Sequence, residues 1–545
     1  MSPAAFNRFL LAVAGIGGLL YGIDVGIFDA AVLYLGKTIS LTVSQLSIIA
    51  AAVFGGSMVS SLVAGFFADW VGRKKMMVAS GLLFVISIGM IVTSQNFAIL
   101  LTGRLLQGIS GGVIAVVVPL YLAECLNAKT RGRGSAVFQF MLTFGIMAAA
   151  FIGLYYTTHT EAAVVAAHGN SQLIRVAEDH AWRGMFLAII YPGILFFLGT
   201  LFLSETPRWL FRRGRKEQAL ASLRRFSDEE EAQLQMREMD ETMNAASSGD
   251  HAAKGSLLQR KYVVPFVLAC VVLACNQATG INSILTYLSL ILKQAGMTAQ
   301  HATIGDLAVK ILNCVMTVVA VLLIDRKGRK FLLTLGTAGI ILALSGTALI
   351  FHHFETQRID VSSQVNASIQ NNAVRVPLAQ LQGTETRPVA LTVLYSYGGG
   401  DHLASVSTSD VNPVLEIAPE NSKQPLQIRK ASLAPLPSPM ASKWILACLT
   451  FFMASFAVGP GVVVWLALSE LMPTRIRSAG MGIALLLNQG VSTLIAGVFL
   501  PMVSKYGYFA VFAFWAGCTV IYFITAAFFL PETKGKTLEE IEASF

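Results

Sequence analysis

Asp69-Trp70-Val71-Gly72-Arg73-Lys74 recurs as Asp325-Arg326-Lys327-Gly328-Arg329-Lys330, an offset of 256 residues (69 to 325). Each copy closes one long apolar run and opens the next. Two further pairs fall into step. Glu124, with Arg131 seven residues on, recurs as Glu470 with Arg477, an offset of 346 (124 to 470). Glu205-Thr206 recurs as Glu532-Thr533, an offset of 327 (205 to 532). The offset grows by 90 across the polar stretch 353–441 and then falls by 19, as the longer loop at 157–182 than at 503–507 requires. One insertion and one loop difference reconcile all three pairs. The chain therefore divides into two homologous six-helix halves of like orientation, an arrangement that puts a substrate site between them near the midplane and works by rocking.

Composition points the same way. Of 545 residues 54% are hydrophobic and 13% charged, and mean hydropathy is +0.64; soluble domains carry about 25% charged residues. A water-soluble enzyme is excluded. At about 20 residues per span the length holds roughly a dozen membrane helices. Apolar runs lie at about 9–33, 45–68, 76–94, 97–122, 134–156, 184–204, 262–292, 302–324, 331–352, 443–469, 478–502 and 507–530. The first lacks a small-residue cleavage site and holds Asp24 and Asp29, unlike a signal peptide. Lys and Arg cluster after the second (Arg73, Lys74, Lys75), fourth (Lys129, Arg131, Arg133), eighth (Arg326, Lys327, Arg329, Lys330) and tenth (Arg475, Arg477) runs. Positive loops face the cytoplasm, so both termini are expected there, in a cell membrane crossed many times. The net charge of +9 is then a topology signal and calls for no nucleic-acid partner. The six cysteines sit in or beside apolar runs as small hydrophobes, without the spacing of a disulfide or metal framework.

The expected domains are a first half, 1–207; a charged cytoplasmic helical linker, 208–261; and a second half, 262–545, carrying the extracytoplasmic insertion 353–441. Alternation across Val374–Leu394 suggests a small β-rich module or a mobile loop, open to a partner outside. Asn366-Ala367-Ser368 is a glycosylation sequon. The protomer is expected to work alone.

The repeated carboxylate and guanidinium groups lie at cytoplasmic helix ends. Arginine forks bind carboxylates in two-pronged fashion, so Asp69, Arg73, Glu124, Arg131, Glu205, Arg208, Asp325, Arg329, Glu470, Arg477 and Glu532 are expected to form a latch. Joined between the halves, it would hold the cytoplasmic side shut. Charges inside spans are costly and are functional candidates by default, Asp24 and Arg104 above all; Asp29 and the i, i+4 pair Asp306 and Lys310, expected to bond each other, read as structural or vestibule charges.

The combination of Gly72-Arg73-Lys74, Pro207-Arg208-Trp209-Leu210, Gln277-x-x-Gly280-x-Asn282, Gly459-Pro460-Gly461 with Trp465 and Glu470, and Pro531-Glu532-Thr533-Lys534-Gly535 resembles the sugar porters of the major facilitator superfamily. It covers about Gly15 to Glu540 except 353–441. The resemblance implies an all-α fold of about twelve spans and places Asp24 and Arg104 on the acid–base positions of proton-coupled porters. It likewise places Gln139, Asn276, Gln277, Asn282, Trp465 and Asn488 at sugar-contacting positions, and Tyr287 at an outer gate. Amides donate and accept to hydroxyls, and an indole offers a flat face to C–H groups. The sequence departs from the family pattern at Asn276, Thr286, Val462 and Gln489, which alters the pocket and leaves the sugar open.

The implied activity is secondary active transport of a monosaccharide or polyol with the proton as coupling ion, and no cofactor or metal. Passive facilitation, transport of another polar solute such as a sugar acid, and a non-transporting sugar sensor are the alternatives. No metal spacing or nucleophile motif supports an enzyme.

Overall fold

The computed structural model describes residues 2–126, 128–248, 259–382, 387–410, 412–417, 424–464, 472 and 477–532, with backbone alone at 128–133, 135, 242–248, 261, 325 and 477–479. Among the described residues, eleven helices are long and apolar enough to cross a membrane. The last, Gly480–Phe529, has 50 residues. At 1.5 Å per residue it would span about 75 Å, more than twice the roughly 30 Å of hydrocarbon. It folds back at Gly507, whose φ of 85° is left-handed, and so makes two crossings. Among the described residues that gives twelve candidate crossings.

The first half comprises α1 (Pro3–Thr38), α2 (Val43–Val71), α3 (Arg73–Thr93), α4 (Phe97–Cys125), α5 (Ala128–Ala166), and a sixth span interrupted at Ile189, α6 (Ser171–Ala188) and α7 (Ile190–Leu201). Three short charged helices follow: α8 (Pro207–Arg212), α9 (Lys216–Phe226) and α10 (Glu229–Ser248). The seventh span breaks at Thr279–Gly280 into α11 (Arg260–Ala278) and α12 (Ile281–Gln294). Next come α13 (Ala299–Lys327) and α14 (Arg329–Glu355). Beyond the insertion, α17 (Pro439–Phe456) ends in a π-turn at Ala457–Gly461, where Pro460 forbids an ordinary ladder bond. The bent α18 (Arg477–Ile524) completes the second half. The end carrying α8–α10 is termed the linker side, and the other the insertion side.

The repeated motif has a local physical cause. Gly72 and Gly328 adopt φ of 109° and 91°, values that side chains with a Cβ resist. The turn places the first N–H groups of the following helix against a carboxylate from the end of the same half. Glu205 accepts from Arg73 N at 3.0 Å and Lys74 N at 3.1 Å. Glu532 accepts from Arg329 N at 3.0 Å and Lys330 N at 3.1 Å. Charged caps satisfy donors that a helix start leaves free and complement its dipole. Burial pushes the Glu205 carboxyl above the usual carboxylate range, against the pull of its three backbone donors. The device recurs at Gly507, where Glu355 accepts from Tyr508 N at 2.7 Å and Phe509 N at 3.3 Å. Replacing Glu205 or Glu532 by Ala strands two N–H groups and should cost about 1–2 kcal/mol each. The detergent-solubilised variants should therefore melt several degrees lower, with the Gln variants in between; an unchanged melting curve would remove the cap role.

Within the first half, α1 and α5 meet through glycines. A Cβ at Gly22 would overlap the Leu142 carbonyl, and Gly145 approaches the Leu19 carbonyl equally closely. Small residues of this kind let membrane helices touch backbone to backbone.

The insertion is β-rich. One antiparallel sheet has strand order β1 (Ile359–Asp360), β7 (Gln427–Pro435), β4 (Val389–Ser396), β5 (Asp401–Ser407). A second has β2 (Ile369–Gln370), β3 (Ala373–Pro377), β6 (Val414–Ile417). The short helices α15 (Ser362–Ala367) and α16 (Leu378–Gln382) lie between strands. Val374, Val376, Leu391, Val393, Leu415, Ile417 and Leu433 form its own core, and the alternating positions of β3 supply its half of the pattern. Helix α14 runs on to Glu355, three residues into the stretch read as insertion.

Candidate substrate and proton site

Gly280, at φ 83°, lets the seventh span break, and the Trp515 ring fills the space where its Cβ would stand. The break brings Gln277 at the end of α11 and Asn282 at the start of α12 to one place. Asn282 Nδ2 donates to Gln277 Oε1 at 2.9 Å and to Ser492 Oγ at 2.6 Å. Gln277 Nε2 donates to Asn488 Oδ1 at 3.3 Å, and Asn488 Nδ2 to the Leu273 carbonyl at 3.2 Å. Asn276 lies alongside, 2% exposed, with its side-chain oxygen unpartnered. Ser492 joins this amide cluster, although nothing in its sequence context sets it apart from other serines in spans. Gln139 stands exposed on α5, and among the described residues no hydrogen bond joins it to the cluster. Trp465 lies outside the described residues.

On the insertion side of the amides, Tyr287 is fully buried, stacked on Phe499 at 4.6 Å between ring centroids and edge-on to Phe28 at 6.3 Å. Phe28 belongs to the first half and the other two rings to the second, so this aromatic plug spans the seam. Thr286, one residue earlier, turns back to its own helix and donates to the Asn282 carbonyl at 2.6 Å.

Asp24 and Arg104 are both buried in the first half. The nearest approach is 3.7 Å, from Arg104 Nη1 to Asp24 Oδ1, which is an ion pair without a hydrogen bond. Arg104 donates instead to Gln107 Oε1 at 2.6 Å and lies over the Phe28 and Phe186 rings at 5.0 and 5.5 Å. Both Asp24 oxygens lack a hydrogen-bond partner.

The linker-side charges differ from expectation. Arg73 bonds Asp69 at 2.6 Å, Glu124 at 2.8 Å and the Ala68 carbonyl at 3.0 Å. Arg212 reaches Glu124 at 3.0 Å, and Thr206 donates to the other Glu124 oxygen at 2.5 Å. Every one of these groups belongs to the first half or to α8, and Glu205 and Glu532 cap helices of their own half. In this conformation the first-half members Asp69, Arg73 and Glu124 tie within their own half and to α8, because the Gly72 turn directs Arg73 back toward α4. Arg208 is exposed on α8, and Arg329 donates to its own Ile324 carbonyl at 3.4 Å. The side chains of Arg131, Asp325 and Arg477, and all of Glu470, lie outside the described residues. Arg212 and Thr206 join this network unannounced; the only sign was their closeness to Glu205.

Among the described residues, hydrogen bonds and ion pairs joining the halves lie at mid-depth or on the insertion side. Asp29 of α1 accepts from Ser289 N at 2.9 Å and Ser289 Oγ at 2.6 Å, and Lys310 Nζ lies 3.4 Å away. Ser47 Oγ of α2 accepts from Leu500 N at 3.2 Å. The insertion touches both halves: His402 Nδ1 is 3.0 Å from the Leu41 carbonyl in the first, and Asp410 pairs with Lys293 at 3.0 Å in the second.

Two like six-helix bundles, closed together on one side around buried amides and a carboxyl that accepts no hydrogen bond, define a membrane carrier of the major facilitator fold. The chain belongs to the family described as "Sugar (and other) transporter", which matches residues 10–369 and 430–545; the gap falls inside the insertion. It is a multi-pass membrane transporter and not an enzyme. It is 27% identical over 543 residues to the glucose transporter GlcP of Staphylococcus epidermidis, covering 98% of this chain and 97% of that one. It is 26% identical over 540 residues to the arabinose-proton symporter of Bacillus subtilis, covering 98% and 94%. The inward open conformation of the xylose transporter XylE from E. coli has the same fold, with a TM-score of 0.68 at 22% identity over 98% of this chain and 99% of that one.

Proposed function

We propose that this transporter is a proton-coupled symporter for a monosaccharide or polyol, with Asp24 as the proton carrier. The carrying observation is the environment of Asp24: a fully buried carboxyl whose two oxygens accept no hydrogen bond among the described residues, 3.7 Å from its ion-pair partner Arg104. A carboxylate left so in a span is costly. Protonation lifts that cost, while closer approach of Arg104 restores the ionised form. A motion that changes the 3.7 Å separation therefore changes proton occupancy.

Sugar binding is assigned to Gln277, Asn282 and Asn488, with Asn276, Gln139 and Trp465 completing the site and Tyr287 as the outer gate. The amides present donors and acceptors without net charge, which suits a neutral polyhydroxyl solute and disfavours an anionic sugar acid. The names of the glucose and arabinose carriers support the same class. The linker side is assigned to the cytoplasm from its Lys and Arg clusters, which puts both termini inside and the insertion outside a cell membrane. On this assignment residues 1–207 and 262–545 act as the moving halves, linked by 208–261, with 353–441 available to an extracytoplasmic partner, and the monomer suffices. The linker-side groups Asp69, Arg73, Glu124 and Arg212 then brace one half from within.

Proteoliposome uptake of a labelled panel of hexoses, pentoses and inositol, with and without an imposed proton gradient, tests the proposal. Gradient-driven accumulation of one member is expected. Equilibration alone would leave a passive facilitator, and absence of flux for every sugar would leave a sensor.

A further inference from the structure

Asp29, Asp306 and Lys310 carry two negative charges and one positive, all buried at 2% exposure or less, at the seam between the halves. Lys310 Nζ donates to Asp306 Oδ2 at 2.8 Å and lies 3.4 Å from Asp29 Oδ2. The expected Asp306–Lys310 pair is present, but it is not isolated. The partners are unevenly shared. Asp29 accepts from the Ser289 N–H and hydroxyl as well as lying beside the ammonium. Asp306 has the ammonium on one oxygen and the Asp29 carboxyl close by, and its Oδ1 is buried without a hydrogen-bond partner. Among the described residues the neighbouring helices bring no further charge to balance the excess. Lys37 of α1 bonds Glu178, Lys293 of α12 bonds Asp410, Glu161 of α5 accepts from Tyr34, and Lys443 of α17 is exposed.

We propose that this triad is a second proton-binding site, with the proton on Asp306 Oδ1, that governs opening of the insertion side and is distinct from the Asp24 site. The inference rests on the transporter reading but not on Asp24 as carrier. When the halves meet, Asp29 arrives with one negative charge that the Asp306–Lys310 pair cannot neutralise. An isolated buried charge of this kind is costly unless compensated. One proton from insertion-side water adds to the Asp306 carboxylate, forming an O–H bond, and the triad becomes neutral. When the halves part on that side, Asp29 returns to water, Lys310 reverts wholly to Asp306, and the proton leaves to the same side. It is a gating proton, not a transported one. The closed form binds one proton more than the open form, so closure gains as pH falls, by up to about tenfold in the closed-to-open ratio per pH unit.

The gate can be followed by the distance between spin labels at Ser40→Cys and Gln300→Cys, both on the insertion side, in transport-competent protein whose six native cysteines are replaced by alanine. The parent should close as pH falls. Asp306→Asn and Asp29→Asn each remove the excess negative charge, and both should flatten the response while leaving gradient-driven accumulation in place. Asp24→Asn should lose accumulation and keep the parent's pH response. Parental pH slopes in both triad variants would overturn the proposal and leave a static ion cluster. If Asp306→Asn fails to fold, Asp29→Asn decides alone, since it leaves the neutral Asp306–Lys310 pair in place. Loss of the slope in Asp24→Asn with slopes retained in the triad variants would assign the linkage to Asp24 and overturn it equally. Gate closure that follows pH in a protein moving no sugar would instead defeat the symport reading alone.

Discussion

Asp24→Asn should abolish accumulation of sugar against its gradient while exchange of labelled for unlabelled sugar continues. One proton moving through 100 mV supplies about 2.3 kcal/mol, enough for an accumulation ratio of about 50-fold. The variant should equilibrate instead, with inside and outside concentrations equal. An amide occupies the carboxyl's space without exchanging a proton, so the packing around Gly111, whose Cβ would lie 3.1 Å from Asp24 Oδ2, is preserved. Exchange needs only the rocking of a loaded carrier, and a neutral residue at this site does not oppose it. Concentrative uptake at the parental level in Asp24→Asn would remove this carboxyl from energy coupling.

Gln277→Ala should raise the half-saturating sugar concentration by about 10- to 100-fold. Gln277 is the central member of the amide cluster, accepting from Asn282 and donating to Asn488. The 3.3 Å Gln277–Asn488 bond is the longest between side chains of the cluster and the easiest for a sugar hydroxyl to replace. Truncation removes one donor and one acceptor from the bound sugar and strands their former partners, a loss of about 1–3 kcal/mol. Radiolabelled sugar binding to purified protein measures it directly. Parental affinity with a parental melting temperature would move the sugar site elsewhere.

The periodic features were legible from the residues. Twelve apolar runs, the repeat of Asp-x-x-Gly-Arg-Lys and the Lys and Arg loops need only spacing, and most helices follow the runs within about six residues. But α5 runs on to Ala166 and α6 starts at Ser171, so most of the stretch 157–182 read as a loop is helix, because polar turns of a helix beyond the bilayer carry no apolar signal. The seam was not legible. Whether Arg73 ties one half internally or reaches the other depends on the direction imposed by the left-handed Gly72 turn, which spacing alone does not reveal. The same holds for Glu205 and Glu532, whose recurrence marked them as important while their role as remote helix caps needed the fold. In the candidate site, Gln277, Asn282 and Asn488 meet through hydrogen bonds, and Gln139 stands apart from them. Asp29 and Lys310 sit 281 residues apart, and only the docking of α1 against α12 and α13 puts them in contact. The insertion announced itself by polarity and alternation, but its fastening to both halves through His402 and Asp410 had no local signature.

That fastening gives the carrier a handle remote from its cargo. To open on the insertion side, the halves must draw Leu41 away from Lys293, and the sheet that bridges them must let go of at least one. An antibody fragment that pinned the sheet in its bridging position would throttle turnover without meeting the sugar at all. Its inhibition would be non-competitive, lowering the maximal rate at every sugar concentration, and no excess of sugar would relieve it.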